Sequence, residues 1–205
     1  MFEITVFSSV VYGLALCTVY YLVVSAIKKQ LVRIHFRTAF FYITLFCLFG
    51  IAGEVFVNNI WEHIFGWPLW EYRLFPAHGG DISYFFPLIW GMLGFYKYIN
   101  DTAFHRFPPD QHLKPAVIMG AEAILLELVY NGLFLLLFDE YIFYYLPANM
   151  GPLSHLSCWQ VIPFYFVVGF FTSELIHGQQ KAGYHNRVLL RIAFYWMVIG
   201  ALILF

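Results

Sequence analysis

Glu54 is followed four residues later by Asn58, and Glu127 four residues later by Asn131, in the strings E-V-F-V-N and E-L-V-Y-N. Residues four apart share a helix face, so each string presents a carboxyl beside an amide. A carboxyl in an apolar setting suits general acid catalysis. An amide next to it can orient an oxygen or stabilise developing charge. The plain alternative is interhelical hydrogen bonding, worth about 0.6 kcal/mol on average in a membrane. Glu122 lies five residues before Glu127 and therefore about 140° round the helix, on a different contact surface.

A second group of candidates sits in F75-P-A-H-G-G-D-I-S83. His78 could carry a proton near neutral pH, with Asp81 holding its tautomer. The alternative is a loop histidine capping backbone near the start of the next helix, with Ser83 as its N-cap. Trp61, Trp67, Trp70, Tyr130 and Trp159 are candidate walls for a substrate, with ring faces able to shield a cationic intermediate. Arg73 is a candidate clamp for an anionic headgroup, although nearby acids favour a plain ion pair. No His or Cys spacing points to a metal, and neither a metal nor a cofactor is expected. The nucleophile-elbow serine, phosphate-loop and dinucleotide-binding motifs are all missing from the sequence.

The elements holding these residues must be membrane helices. Of 205 residues 61% are hydrophobic and 11% charged, against about half and a quarter in soluble domains. A net charge of -1 gives no reason to expect a nucleic-acid partner. Cys17, Cys47 and Cys158 read as buried small residues. The N-terminus lacks the pattern of a cleaved signal peptide and is expected to remain as a spanning helix. Six apolar stretches reach spanning length, near 4–26, 38–60, 82–99, 115–138, 158–176 and 188–205.

Ten of the eleven Lys and Arg residues, Lys97 among them, fall on one side of these spans, leaving Arg73 on the other. The positive-inside rule puts that first side in the cytoplasm and both termini outside. Acidic outer loops fit a bacterial inner membrane.

The E-x-x-x-N strings belong to a longer self-similarity. P76-A-H-G-G-D-I-S83 aligns with P147-A-N-M-G-P-L-S154, and Gly94-Phe95 aligns with Gly169-Phe170. The expected fold is therefore all-α and polytopic: one integral membrane domain over 1–205, with six transmembrane helices. Within it, two tandem two-helix units occupy about 40–99 and 115–176, with parallel topology about an axis along the membrane normal. The aromatic loops of both units should lie in the interface or fold back onto the bundle as lids.

F46-C-L-F-G-I-A-G-E54, L69-W-E-Y72 and G151-P-L-S154 resemble the small multi-pass sterol isomerases. Those enzymes place carboxylates and a histidine in a membrane cavity to protonate a double bond. This chain departs from them in having Gly50 where that family carries its histidine, one turn before the glutamate. The plan is also similar to that of membrane-embedded lycopene cyclases. Both resemblances imply acid-initiated isomerisation or cyclisation of a lipid or isoprenoid. On this reading Glu54 or Glu127 is the acid, and Asn58 and Asn131 orient the substrate. The alternatives are a small proton-coupled carrier and a structural subunit of a membrane complex.

Overall fold

The computed structural model describes residues 4–105, 113–146, 155–183 and 187–204. It is mostly helical, with six long helices: α1 (Val6–Ile27), α2 (Phe36–Phe65), α3 (Phe86–Phe104), α4 (Leu113–Phe138), α5 (Ile162–Ala182) and α6 (Arg187–Leu204). All but α3 are long and apolar enough to cross a membrane, which makes this an integral membrane protein. The expected span at 82–99 is a helix that starts four residues later and is less apolar. It carries Lys97, Asn100 and Asp101 on its last turns and turns much of its length inward.

Local signals set the helix ends. α1 opens with a capping box, in which Thr5 and Ser8 satisfy each other's backbone N–H groups. α2 runs for 30 residues, about 45 Å at 1.5 Å per residue, and stops at Gly66 in the left-handed conformation that glycine adopts without strain. Pro87 and Pro163 sit in the first turns of α3 and α5, where a missing N–H costs nothing. Large apolar side chains cover the outside of the bundle, among them Phe7, Phe36, Leu136 and Leu190. That distribution suits a lipid solvent, in which apolar surface need not hide.

α2 packs on α3 and α4 on α5, while α1 lies along α3 and α6 along α2. Small residues let two of these pairs approach closely. A side chain at Gly94 would bring Cβ within 2.7 Å of Ile43 Cα, and one at Gly169 within 3.1 Å of Ala116 Cα. Two interior clusters result. One reaches from Phe46 and Trp90 through Phe134 to Phe164, and the other joins Tyr42, Leu45, Tyr98 and Val188.

The all-α expectation needs one amendment. The segments after α2 and α4 do fold back onto the bundle, but as strands. β1 (Trp70–Tyr72) pairs antiparallel with β4 (Phe143–Tyr145), matching Trp70 with Tyr145, Glu71 with Tyr144 and Tyr72 with Phe143. A smaller pair, β2 (Pro76–Ala77) and β3 (Ile82–Ser83), closes the F75–S83 loop. Backbone entering an apolar interior must satisfy its own hydrogen bonds, and pairing does so here. The second copy of that loop motif, 147–154, lies outside the described residues.

Gly94→Ala should lose about 1–3 kcal/mol, because the added methyl meets backbone that cannot yield. Gly178→Ala, on a helix face with open space, should be neutral or gain up to about 1 kcal/mol. Thermal unfolding of both variants in detergent, followed by circular dichroism, checks the contrast.

Candidate functional site

Asn58 and Asn131 hold the strands in place. Asn58 Oδ1 accepts from the backbone N–H of Leu69 (2.7 Å) and Trp70 (3.3 Å), and its Nδ2 donates to Trp70 O (3.1 Å) and Asp81 Oδ1 (2.6 Å). Asn131 Oδ1 accepts from Ile142 N (2.9 Å), and its Nδ2 donates to Phe143 O (2.8 Å) and Leu156 O (3.4 Å). An asparagine offers two donor hydrogens and two acceptor lone pairs, and Asn58 has committed all four. Asn58 thus spends its bonds on the backbone of Leu69 and Trp70 and on Asp81, and Asn131 spends the three given on backbone.

One turn earlier on each helix stands the glutamate. Tyr72 of β1 donates its phenol to Glu54 Oε1. Tyr145 of β4 donates to both oxygens of Glu127, at 3.0 and 3.1 Å. Burial, then the adjacent carboxyl, raises both phenols well above the ordinary tyrosine value, so each remains a donor. Tyr165 adds a 2.6 Å hydrogen bond to Glu127 Oε1, and Ser157 donates to its Oε2.

The two carboxyls are thus treated differently. Glu127 has three donors. Glu54 has one, and its Oε2 is buried without a partner. Trp90 stands four residues before Gly94, as Tyr165 stands four before Gly169. Its indole N–H lies beside Glu54 without completing a hydrogen bond.

Both glutamates line one chamber, at 5% and 4% exposure. Trp70, Trp90, Phe143 and Phe164 wall it, together with the phenols Tyr72, Tyr130, Tyr145 and Tyr165. Its volume is about 20 Å³, enough for about one water. Gly50 and Gly53 make room for the walls: a Cβ at either would stand 2.1 Å from the Trp90 ring or the Phe164 ring, respectively. The Trp90 ring thus occupies the space that any side chain at position 50 would need.

The F75–S83 residues take other roles. His78 Nε2 lies 2.9 Å from Ile203 O, in the last turn of α6. Asp81 does not hold its tautomer; the carboxylate accepts from Asn58 (2.6 Å) and Asn59 (3.3 Å). His78 thus meets backbone at the end of α6 and not at the start of α3. Ser83 is not an N-cap of α3; its hydroxyl donates to Leu74 O and accepts from Phe85 N. Beside β4, His155 stacks on Tyr144 and its Nδ1 lies 2.6 Å from Tyr145 O.

Among the candidate walls, Trp70 and Tyr130 line the chamber. Trp61 packs at a tilt against Phe65 near the end of α2, while Trp67 and Trp159 are surface residues at 41% and 54% exposure. Arg73 pairs with Glu71 at 3.0 Å and lies over the Tyr144 ring, as an ion pair on the surface.

Lys97 is not the loop charge it resembles in the sequence. It is 2% exposed and sits 3.5 Å from Asp101, whose Oδ2 also accepts from Tyr42. Tyr96, beside it, donates to Glu122 Oε2 at 2.7 Å. The i, i+4 spacing of Lys97 and Asp101 was the available sequence signal. Tyr165 and Ser157 carried none, because only the fold brings them to Glu127.

No family model, curated protein or solved structure matches the chain.

Asn58→Leu should strand the backbone groups of Leu69 and Trp70, at about 1–3 kcal/mol for each buried group left unpaired. Amide hydrogen exchange over residues 69–72 should accelerate more than over 143–145; equal protection in the variant would contradict the clamp.

Proposed function

We propose that the chain is a membrane-embedded enzyme acting on a lipid or isoprenoid by acid-initiated isomerisation or cyclisation. The observation that carries this reading is the shared chamber: two buried glutamates, aromatic walls, and one carboxyl oxygen on Glu54 left without a partner. Glu54 is the acid, because it alone has an oxygen to offer. Glu127, bound by Tyr145, Tyr165 and Ser157, supplies fixed charge and geometry. On this reading the Tyr130 ring, at the edge of the chamber, stabilises positive charge developing on carbon.

The reading includes a duplicated plan, with units of about 40–99 and 115–176 related by a twofold axis along the membrane normal. Matched offsets support it. Each asparagine reaches backbone 11 and 12 residues on, and each glutamate accepts from a tyrosine 18 residues on. The β1–β4 register is itself symmetric about Glu71 and Tyr144. We assign the strand-bearing end to the non-cytoplasmic side, with both termini there, and the membrane to a bacterial inner membrane; the charge asymmetry supports this.

The carrier alternative gains from one observation. Lys97, Asp101 and Tyr42 form a largely buried polar cluster near the end of α3, away from the strands. Proton-coupled uptake by reconstituted vesicles would favour that alternative.

Glu54→Gln should lower turnover of a lipid substrate by about 10²–10⁴-fold while leaving the fold intact. Assay of the purified variant against a panel of isoprenoids measures this; unchanged turnover removes Glu54 as the acid.

A further inference from the structure

Beside the chamber lies an apolar groove of about 310 Å³ between α1, α3 and α4, lined by Leu16, Val19 and Tyr20 of α1 and by Leu126, Val129 and Leu133 of α4. Tyr12 donates to Tyr130 O and packs against Phe134 and Phe138, so α1 and α4 meet at the strand end and diverge beyond it. The groove and the chamber share three wall residues, Ile89, Leu93 and Tyr130. A second groove of about 380 Å³, lined by Leu14, Tyr21 and Ile43 among others, shares none with the chamber.

Three buried polar atoms of chamber residues have no partner: Glu54 Oε2, Trp90 Nε1 and Tyr130 Oη. Trp90 Nε1 and Tyr130 Oη offer donor hydrogens, and the Glu54 carboxyl oxygen accepts when ionised and donates when protonated. A hydroxyl group supplies the complement, one donor hydrogen and two acceptor lone pairs. Among the described residues neither Lys, Arg nor His lines the chamber. A phosphate or carboxylate head would thus be desolvated beside two glutamates with no cation to offset the cost.

We propose that the α1–α3–α4 groove binds the hydrocarbon chain of an uncharged lipid alcohol, whose terminal hydroxyl passes between Ile89, Leu93 and Tyr130 into the Glu54 chamber. This rests on reading the chamber as a ligand site and names the substrate class for it. The chamber admits a group the size of one water, which is the size of a hydroxyl, and the rest of the molecule lies in the groove. Tyr130 stands at the junction: its ring is wall to both spaces, and its phenol is one of the three unpaired groups.

The test is photocrosslinking of the full chain in detergent with a sixteen-carbon primary alcohol carrying a mid-chain diazirine, mapped by mass spectrometry. Crosslinks should concentrate on Leu16, Val19, Leu126 and Leu133 and be competed by unlabelled hexadecanol, with hexadecane and hexadecanoate at least about tenfold weaker competitors. Val129→Trp, which adds bulk at a half-exposed groove position, should reduce labelling by a similar factor. Tyr130→Phe removes a hydroxyl that bonds to nothing in the fold, so it should leave thermal stability unchanged yet abolish the preference for the alcohol over the alkane. Even labelling of lipid-facing residues such as Leu190, labelling centred on the Leu14 and Tyr21 groove, or equal competition by the fatty acid would overturn the proposal. So would an unchanged preference in Tyr130→Phe, which would leave the chamber to a water. Alcohol binding without turnover would sink the enzyme reading alone. Glu54-dependent turnover unaffected by Val129→Trp would sink this inference alone.

Discussion

Everything at the strand end of the bundle depends on one constraint: backbone brought into an apolar interior must find partners for every N–H and C=O. Two devices meet it. β1 and β4 pair with each other, and Asn58 and Asn131 bind the backbone leading into each strand. Because each asparagine lies one turn beyond a glutamate, the clamp that holds the strand also delivers its tyrosine to the carboxyl. The polar groups are therefore coupled, and the chamber is a consequence of how the loops are secured.

The same arrangement leaves the two glutamates unequal. Tyr165 reaches Glu127 from α5, while Trp90 of α3 comes to Glu54 and stops short of a hydrogen bond. Ser157 adds a third donor to Glu127. A buried carboxyl with saturated oxygens is an anchor, whereas one with an oxygen to spare is a point at which a ligand can be bound. Under the proposed mechanism that asymmetry divides the labour: one glutamate organises the chamber and the other meets the substrate.

Much of the helical frame was legible in the sequence, because lipid-facing helices are long, continuous apolar runs. The E-x-x-x-N strings pointed to the site for a similar reason: carboxylates inside such runs are costly and stand out. Their partners did not stand out. Trp70–Tyr72 and Phe143–Tyr145 are three residues each, too short for an alternating pattern, and their pairing joins segments more than 70 positions apart. Lys97 was read as a loop charge because span boundaries drawn from hydropathy cannot tell a helix end in water from one buried under Tyr42 and Tyr98. His78 and Asp81 looked like a catalytic pair from spacing alone, yet the turn at Gly79 and Gly80 sends one to α6 and the other to Asn58.

The pairing of β1 with β4 holds the segments after α2 and α4 together so that Glu54 and Glu127 share one chamber. Disulfide formation between cysteines placed at Glu71 and Tyr144 in the membrane-bound protein, with the native cysteines replaced, measures that directly. These residues face each other in the pair, and antiparallel neighbours lie within the 4.4–6.8 Å Cα separation that a disulfide usually spans. The account predicts rapid oxidation of the 71–144 pair and little for 71–141. A folded protein in which 71–144 fails to crosslink would contradict it.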